Sequence, residues 1–142
     1  MKTFSLLFFL VAFPAYAQSE APSEITGTVH VMDGDIIHVN NASGTTPVRL
    51  QGIAAPGLQE DGGRQAAAFL SQYAENKAVR CVMSGTKIQD LEAGICYVGG
   101  KDIAAEVVRA GLARDCPAFS GGRYWGIERP EAQKLLLPDY CQ

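Results

Sequence analysis

From Ile25 onward the chain reads as β-structure. The run I-T-G-T-V-H-V-M is followed by Asp33-Gly34 and then by D-I-I-H-V. An Asp-Gly pair between β-rich runs is the strongest short-range mark of a hairpin. The polar stretch 40–46 supplies a second turn and residues 48–53 a third strand, so three consecutive antiparallel strands are predicted. Residues 63–76 then change period, with good helix formers and apolar residues near i, i+3, i+4 spacing. Two more short strands, 79–83 and 95–98, are separated by a polar loop. After Gly99-Gly100 a second helix is expected over 102–110, with Asp102 as N-cap and Gly111 as its stop. A third helix is expected over about 124–136, interrupted or delayed by Pro130. Five short strands with a helix between the third and fourth predict an α+β chain built on an OB-type five-stranded β-barrel with two or three helices.

The N-terminus departs from this pattern. Lys2 precedes a nearly unbroken apolar run over 4–13, and Pro14-Ala15-Tyr16-Ala17 ends in an A-x-A cleavage signal. The run is shorter than the ~20 residues a spanning helix needs. Residues 1–17 therefore read as a signal peptide, 18–24 as a flexible lead-in and 25–142 as one domain. Export follows, to the periplasm or beyond, with no membrane span and with the mature chain a monomer.

Charge and cysteines narrow the function classes. Loss of Lys2 takes the formal net charge from −3 to −4. Nucleic-acid binders advertise themselves by excess Lys and Arg, so a strong nonspecific grip on a polyanion is not expected. A local basic patch is left open by Arg109, Arg114, Arg123 and Arg129. Cys81, Cys96, Cys116 and Cys141 are an even set in an exported chain. They read as two disulfides with three pairings open, since neither a C-x-x-C nor a nearby histidine suggests metal.

The ordered pieces V-x-V-M-D-G-D, V-R-L-Q-G-I-x-x-P, A-A-A-F-L, I-C-Y-V-G-G-K-D-I and V-V-R-A-G-L-A-R resemble the staphylococcal nuclease (thermonuclease-like) family from about Ile25 to Gln133. Active members hydrolyse the phosphodiester bonds of DNA and RNA. The resemblance implies calcium held by two aspartates, a glutamate as general base and two arginines on the phosphate. A hard cation and planar guanidinium forks stabilise the charge that builds on the reacting oxygens.

Carried over residue by residue, the hairpin aspartate falls on Asp35, the one remaining candidate metal ligand, and the third-strand arginine on Arg49. The second aspartate falls on Ala54, the position after it on Ala55, and the general base on Gly57. The second arginine falls nearest Leu91, within a stretch that holds no arginine between Arg80 and Arg109. A positioned base contributes ~10²–10⁴-fold and a charge-stabilising donor ~10²–10³-fold, so these losses together remove most of the acceleration. Glu60 and Asp61, three and four residues past Gly57, are the nearby candidate substitutes for the base.

The expectation is thus a catalytically impaired module binding a protein, a polysaccharide or a nucleic acid without a cofactor. The alternative is a weak Ca²⁺-dependent nuclease. The fold also makes 79–83 and 95–98 neighbours, which implies Cys81–Cys96 and leaves Cys116–Cys141. His30 and His38 are expected to pair diagonally and face solvent. Tyr124 and Trp125 are expected to pack against the barrel.

Overall fold

A computed structural model describes residues 22–142; the signal-peptide reading lies outside the described residues, as does most of the lead-in. The strands are β1 (Glu24–Val31), β2 (Ile36–Asn41), β3 (Gly44–Leu50), β4 (Ile53–Ala54), β5 (Ala78–Ile88), β6 (Leu91–Val98), β7 (Lys101–Asp102) and β8 (Arg114–Asp115). The helices are α1 (Gly63–Ala74), α2 (Ile103–Arg109) and α3 (Pro117–Ser120). The main sheet runs β3-β2-β1-β5-β6, and a parallel β3–β6 pairing closes it into a five-stranded barrel. The fold is therefore α+β, an OB-type barrel carrying three helices.

Alternation along the strands fills this barrel. Val29 of β1, Ile37 and Val39 of β2, Val48 and Leu50 of β3, and Cys81 of β5 with Cys96 of β6 are all essentially inaccessible. Helix α1 closes the barrel through Ala66, Leu70 and Ala74, spaced four apart on one face. Asp102 caps α2 as expected, its side chain accepting from the Ala104 and Ala105 amides, and Gly111 follows the helix at φ 76°.

Four elements differ from expectation. The third strand breaks at Gly52, where φ is 84°, so Ile53 and Ala54 leave the barrel and pair with β8. The polar loop between β5 and β6 does not exist. The strands extend to Ile88 and Leu91 and are joined by Gln89 and Asp90, both at positive φ (47° and 67°). Such a two-residue turn suits strand twist, but the usual glycine was missing as a signal. The third helix over 124–136 is replaced by 3₁₀ turns at Trp125–Ile127, Pro130–Lys134 and Asp139–Cys141, following α3. Arg129, placed before Pro130, is extended at φ −84°, ψ 146°, as the proline ring demands. Finally, Trp125 is 76 % exposed while Tyr124 is buried, so only the tyrosine packs.

The disulfides join Cys81 to Cys96, directly opposed on β5 and β6, and Cys116 to Cys141. Two cross-links fit a periplasmic or extracellular setting. Among the described residues no helix is long and apolar enough to cross a membrane.

One glycine sets the approach of α1 to the loop before it. A Cβ on Gly63 would stand 1.8 Å from the Gly57 carbonyl oxygen, so backbone must move to admit one. Gly63→Ala is expected to cost roughly 1–3 kcal/mol, the range for overpacking, measured as a lowered denaturant midpoint. An unchanged midpoint would contradict this tight approach.

Candidate functional site

Three elements bring the candidate residues together at one end of the barrel. The β1–β2 turn presents Asp33 and Asp35. Gly34 fits between them because its α-carbon lies against the Ala55 and Ala66 methyl groups; an added Cβ would come within 2.8 Å and 2.6 Å of them. Strand β3 presents Arg49, paired across the ladder with Ile36. The segment after β4 supplies Ala55 to Glu60. Between them lies a cleft of about 320 Å³ lined also by Gln89, Leu136, Pro138 and Tyr140.

The two surviving candidates are in contact. Arg49 Nη1 donates to Asp35 Oδ2 at 3.2 Å, with the side chains 9 % and 4 % exposed. The same oxygen accepts from the Ala55 amide at 3.0 Å. Burial raises the Asp35 carboxyl from 3.8 to about 6, against the lowering by the Arg49 guanidinium and the Ala55 amide. Desolvation therefore outweighs the pairing. Burial also raises the Asp33 carboxyl, against the lowering by its bond from the Gly34 amide.

The remaining contacts of Arg49 come from far along the chain. Nη1 also donates to the Tyr140 hydroxyl at 3.4 Å, and Nη2 to Gln89 Oε1 at 3.3 Å. Nε has no partner. Burial pushes the Tyr140 hydroxyl up, opposed by Arg49, so it meets the guanidinium as a neutral acceptor.

Ala54, Gly57 and Leu91 have distinct environments. Ala54 is 1 % exposed and packs with Cys116 and Cys141, flanked by Phe119, Leu137 and Tyr140. A carboxylate there would lie beneath the disulfide rather than in water. Gly57 is open: its amide donates to Glu60 Oε2 at 3.1 Å, and an added Cβ would stand 3.9 Å from the Glu60 carboxyl carbon. Glu60 thus places a carboxylate beside Gly57, whereas Asp61 lines a neighbouring groove. Leu91 does not line the cleft; the β5–β6 turn contributes Gln89 instead. Sequence reasoning missed Gln89 and Tyr140, and only the proximity of Tyr140 to Cys141 could have pointed to the second.

The described residues offer calcium few ready ligands. That ion takes 6–8 oxygen ligands. Asp35 Oδ2 is already shared by a guanidinium and an amide, and among the described residues no group of three His, Cys, Asp or Glu side chains converges for a metal.

The other candidates are structural. His30 and His38 lie directly opposite one another rather than diagonally, with ring centroids 6.2 Å apart, and His30 Nδ1 is 2.8 Å from Glu75 Oε1. Tyr124 donates its hydroxyl hydrogen to Asp102 at 2.8 Å, and burial, with the Asp102 charge and this bond, raises its pKa. The C-terminal arginines form no free basic patch. Arg109, Arg114, Arg123 and Arg129 lie 2.6, 3.5, 3.2 and 3.8 Å from carboxylates of Glu106, Glu128, Asp102 and Glu131. Compared with models of known protein families and with curated proteins, the chain matches none.

Proposed function

We propose that this is an exported thermonuclease-like domain that has lost phosphodiester hydrolysis and acts by binding a partner. The observation that carries this reading is the state of Arg49 and Asp35. The two are buried and paired with each other, Tyr140 and Gln89 stand against the guanidinium, and only Nε is left without a partner. A phosphate clamp needs free guanidinium donors, and a metal ligand needs free carboxylate oxygens. Near Gly57 no side chain of that residue can take a proton from water, and Ala54 is sealed under the Cys116–Cys141 link.

One observation favours a second reading, a weak Ca²⁺-dependent nuclease. Glu60 holds a carboxylate next to the position of the lost base, within the same cleft as Asp35 and Arg49. General-base catalysis requires reach to the attacking water, which that location does not preclude.

Mature protein incubated with single-stranded DNA and Ca²⁺ is expected to leave the DNA intact, with or without chelator. Calorimetric titration with Ca²⁺ is expected to give no tight uptake. Chelator-sensitive cleavage that disappears in folded Glu60→Gln and Arg49→Ala would instead establish the nuclease reading.

A further inference from the structure

Beside the Arg49 cleft lies a second and larger groove of about 700 Å³, between the turn before α1 and the 3₁₀ segment Pro130–Lys134. Pro56, Leu112, Leu135 and Leu136 make its apolar surface. Glu60 and Leu136 line both cavities, so the two are adjoining parts of one surface. Leu136 is 75 % exposed. Among the described residues most large apolar side chains are buried, so an exposed leucine at the rim of an apolar groove suggests contact with another molecule.

Charge selects the kind of molecule. Five carboxylates line the joined surface: Asp33 and Asp35 at one end, Asp61 and Glu131 at the other, and Glu60 between. Opposing them are Arg49, whose charge is taken up by Asp35, and Lys134. Arg129 stands outside the lining, 3.8 Å from Glu131. A phosphate-bearing strand laid along this surface would set its charges against carboxylates. A polypeptide carrying Lys or Arg would meet complementary charge, and the leucines would meet an apolar side chain.

We infer that the joined grooves dock an extended segment of a partner protein in which a bulky apolar side chain is flanked by lysine or arginine. This specifies the partner class of the binding function proposed above and rests on that reading. Glu60, Asp61 and Glu131 are exposed at the surface and hold the basic flanks. The apolar anchor occupies the space between Leu112 and Leu136.

The test is selection of a phage-displayed library of twelve-residue peptides on the immobilised mature protein. Enriched peptides are then measured in solution against the native chain, Leu136→Ser and the Asp61→Lys/Glu131→Lys double variant. All three substituted positions are exposed, so the fold is retained, which circular dichroism verifies. Enrichment of apolar–basic sequences is expected. Loss of one apolar anchor contact, or reversal of the two charges, should weaken binding about tenfold or more. A twenty-residue oligothymidylate should not compete.

Enrichment of acidic peptides, no enrichment, equal affinity for all three proteins, or displacement by the oligonucleotide would each overturn the inference. The same preparation is assayed for chelator-sensitive DNA cleavage. Cleavage with peptide binding intact would overturn the non-enzymatic reading and leave the groove standing. Failed selection without cleavage would overturn the groove alone.

Discussion

Asp35→Ala is expected to destabilise the domain by ~3–5 kcal/mol, the cost of leaving one partner of a buried ion pair uncompensated. The guanidinium of Arg49 would remain buried with its main anion gone, and it cannot shed its proton. Arg49→Met should cost less, because the carboxylate it strands can be neutralised by protonation. The double variant Asp35→Ala/Arg49→Met should be clearly more stable than the sum of the single losses. Denaturant unfolding of the four proteins gives the coupling directly. Additive losses would show that the contact contributes nothing of its own.

The same carboxyl makes a prediction about pH. Its pKa is raised from 3.8 to about 6 by burial, so the folded state holds the proton more tightly than the unfolded chain does. Stability then falls as pH rises from about 4 to about 6 and levels off above, by about 3 kcal/mol from this group. Asp35→Asn cannot titrate and should lose this slope. The comparison to make is the wild-type fall between pH 4 and pH 7 minus that of Asp35→Asn, which cancels the contributions of other groups. A difference of zero, or of opposite sign, would mean that pairing with Arg49 dominates burial.

Removing the Cys116–Cys141 link is the second large effect. The bond closes a separation of 25 residues, for which loop entropy gives ~3–4 kcal/mol. Here the consequence reaches the cleft. Cys141 anchors the small cluster of Ala54, Phe119, Leu137 and Tyr140, and Tyr140 is the residue that meets Arg49. In Cys116→Ala/Cys141→Ala the C-terminal segment should loosen, and the Ala55 amide bonded to Asp35 should exchange hydrogen much faster. Removing Cys81–Cys96, which spans 15 residues within the barrel, should cost about 3 kcal/mol without singling out the cleft. Hydrogen exchange separates the two patterns. If the Ala55 amide keeps its protection once the C-terminal link is gone, the cleft does not depend on it.

These dependences also bear on how a nuclease-like site would be built into this cleft. Placing aspartate at 54 would bury a carboxylate beneath Cys116 and Cys141, and arginine at 91 would start outside the cleft lining. Gln89, already bonded to Arg49, is the position on the β5–β6 turn from which a second guanidinium would reach the site.

The barrel was legible in the chain because its signals are local. Asp33-Gly34, the alternation on β1, the change of period at Gly63 and the Asp102 cap each act over a few residues, and each appears where expected. Leu91 illustrates the limit. Counting along the chain put it at the site, but the turn at Gln89-Asp90 has no glycine to announce it, and that turn decides which side chain faces Arg49. The expected third helix failed for a different reason. Leu135, Leu136 and Leu137 give an apolar run, but Pro130 and Pro138 break the backbone pattern on either side of it.

By itself, then, the sequence determined most of the strand and helix periods, the apolar or absent side chains at 54 and 57, and the presence of Asp35 and Arg49. Only the tertiary structure decided what surrounds those two residues. Gln89 and Tyr140, 40 and 91 residues from Arg49, reach it because the barrel closes and the C-terminal segment is tied back by Cys141. Local propensity acts across a few bonds, whereas burial, partner choice and the raised Asp35 carboxyl depend on which distant segments exclude water from the same few ångströms.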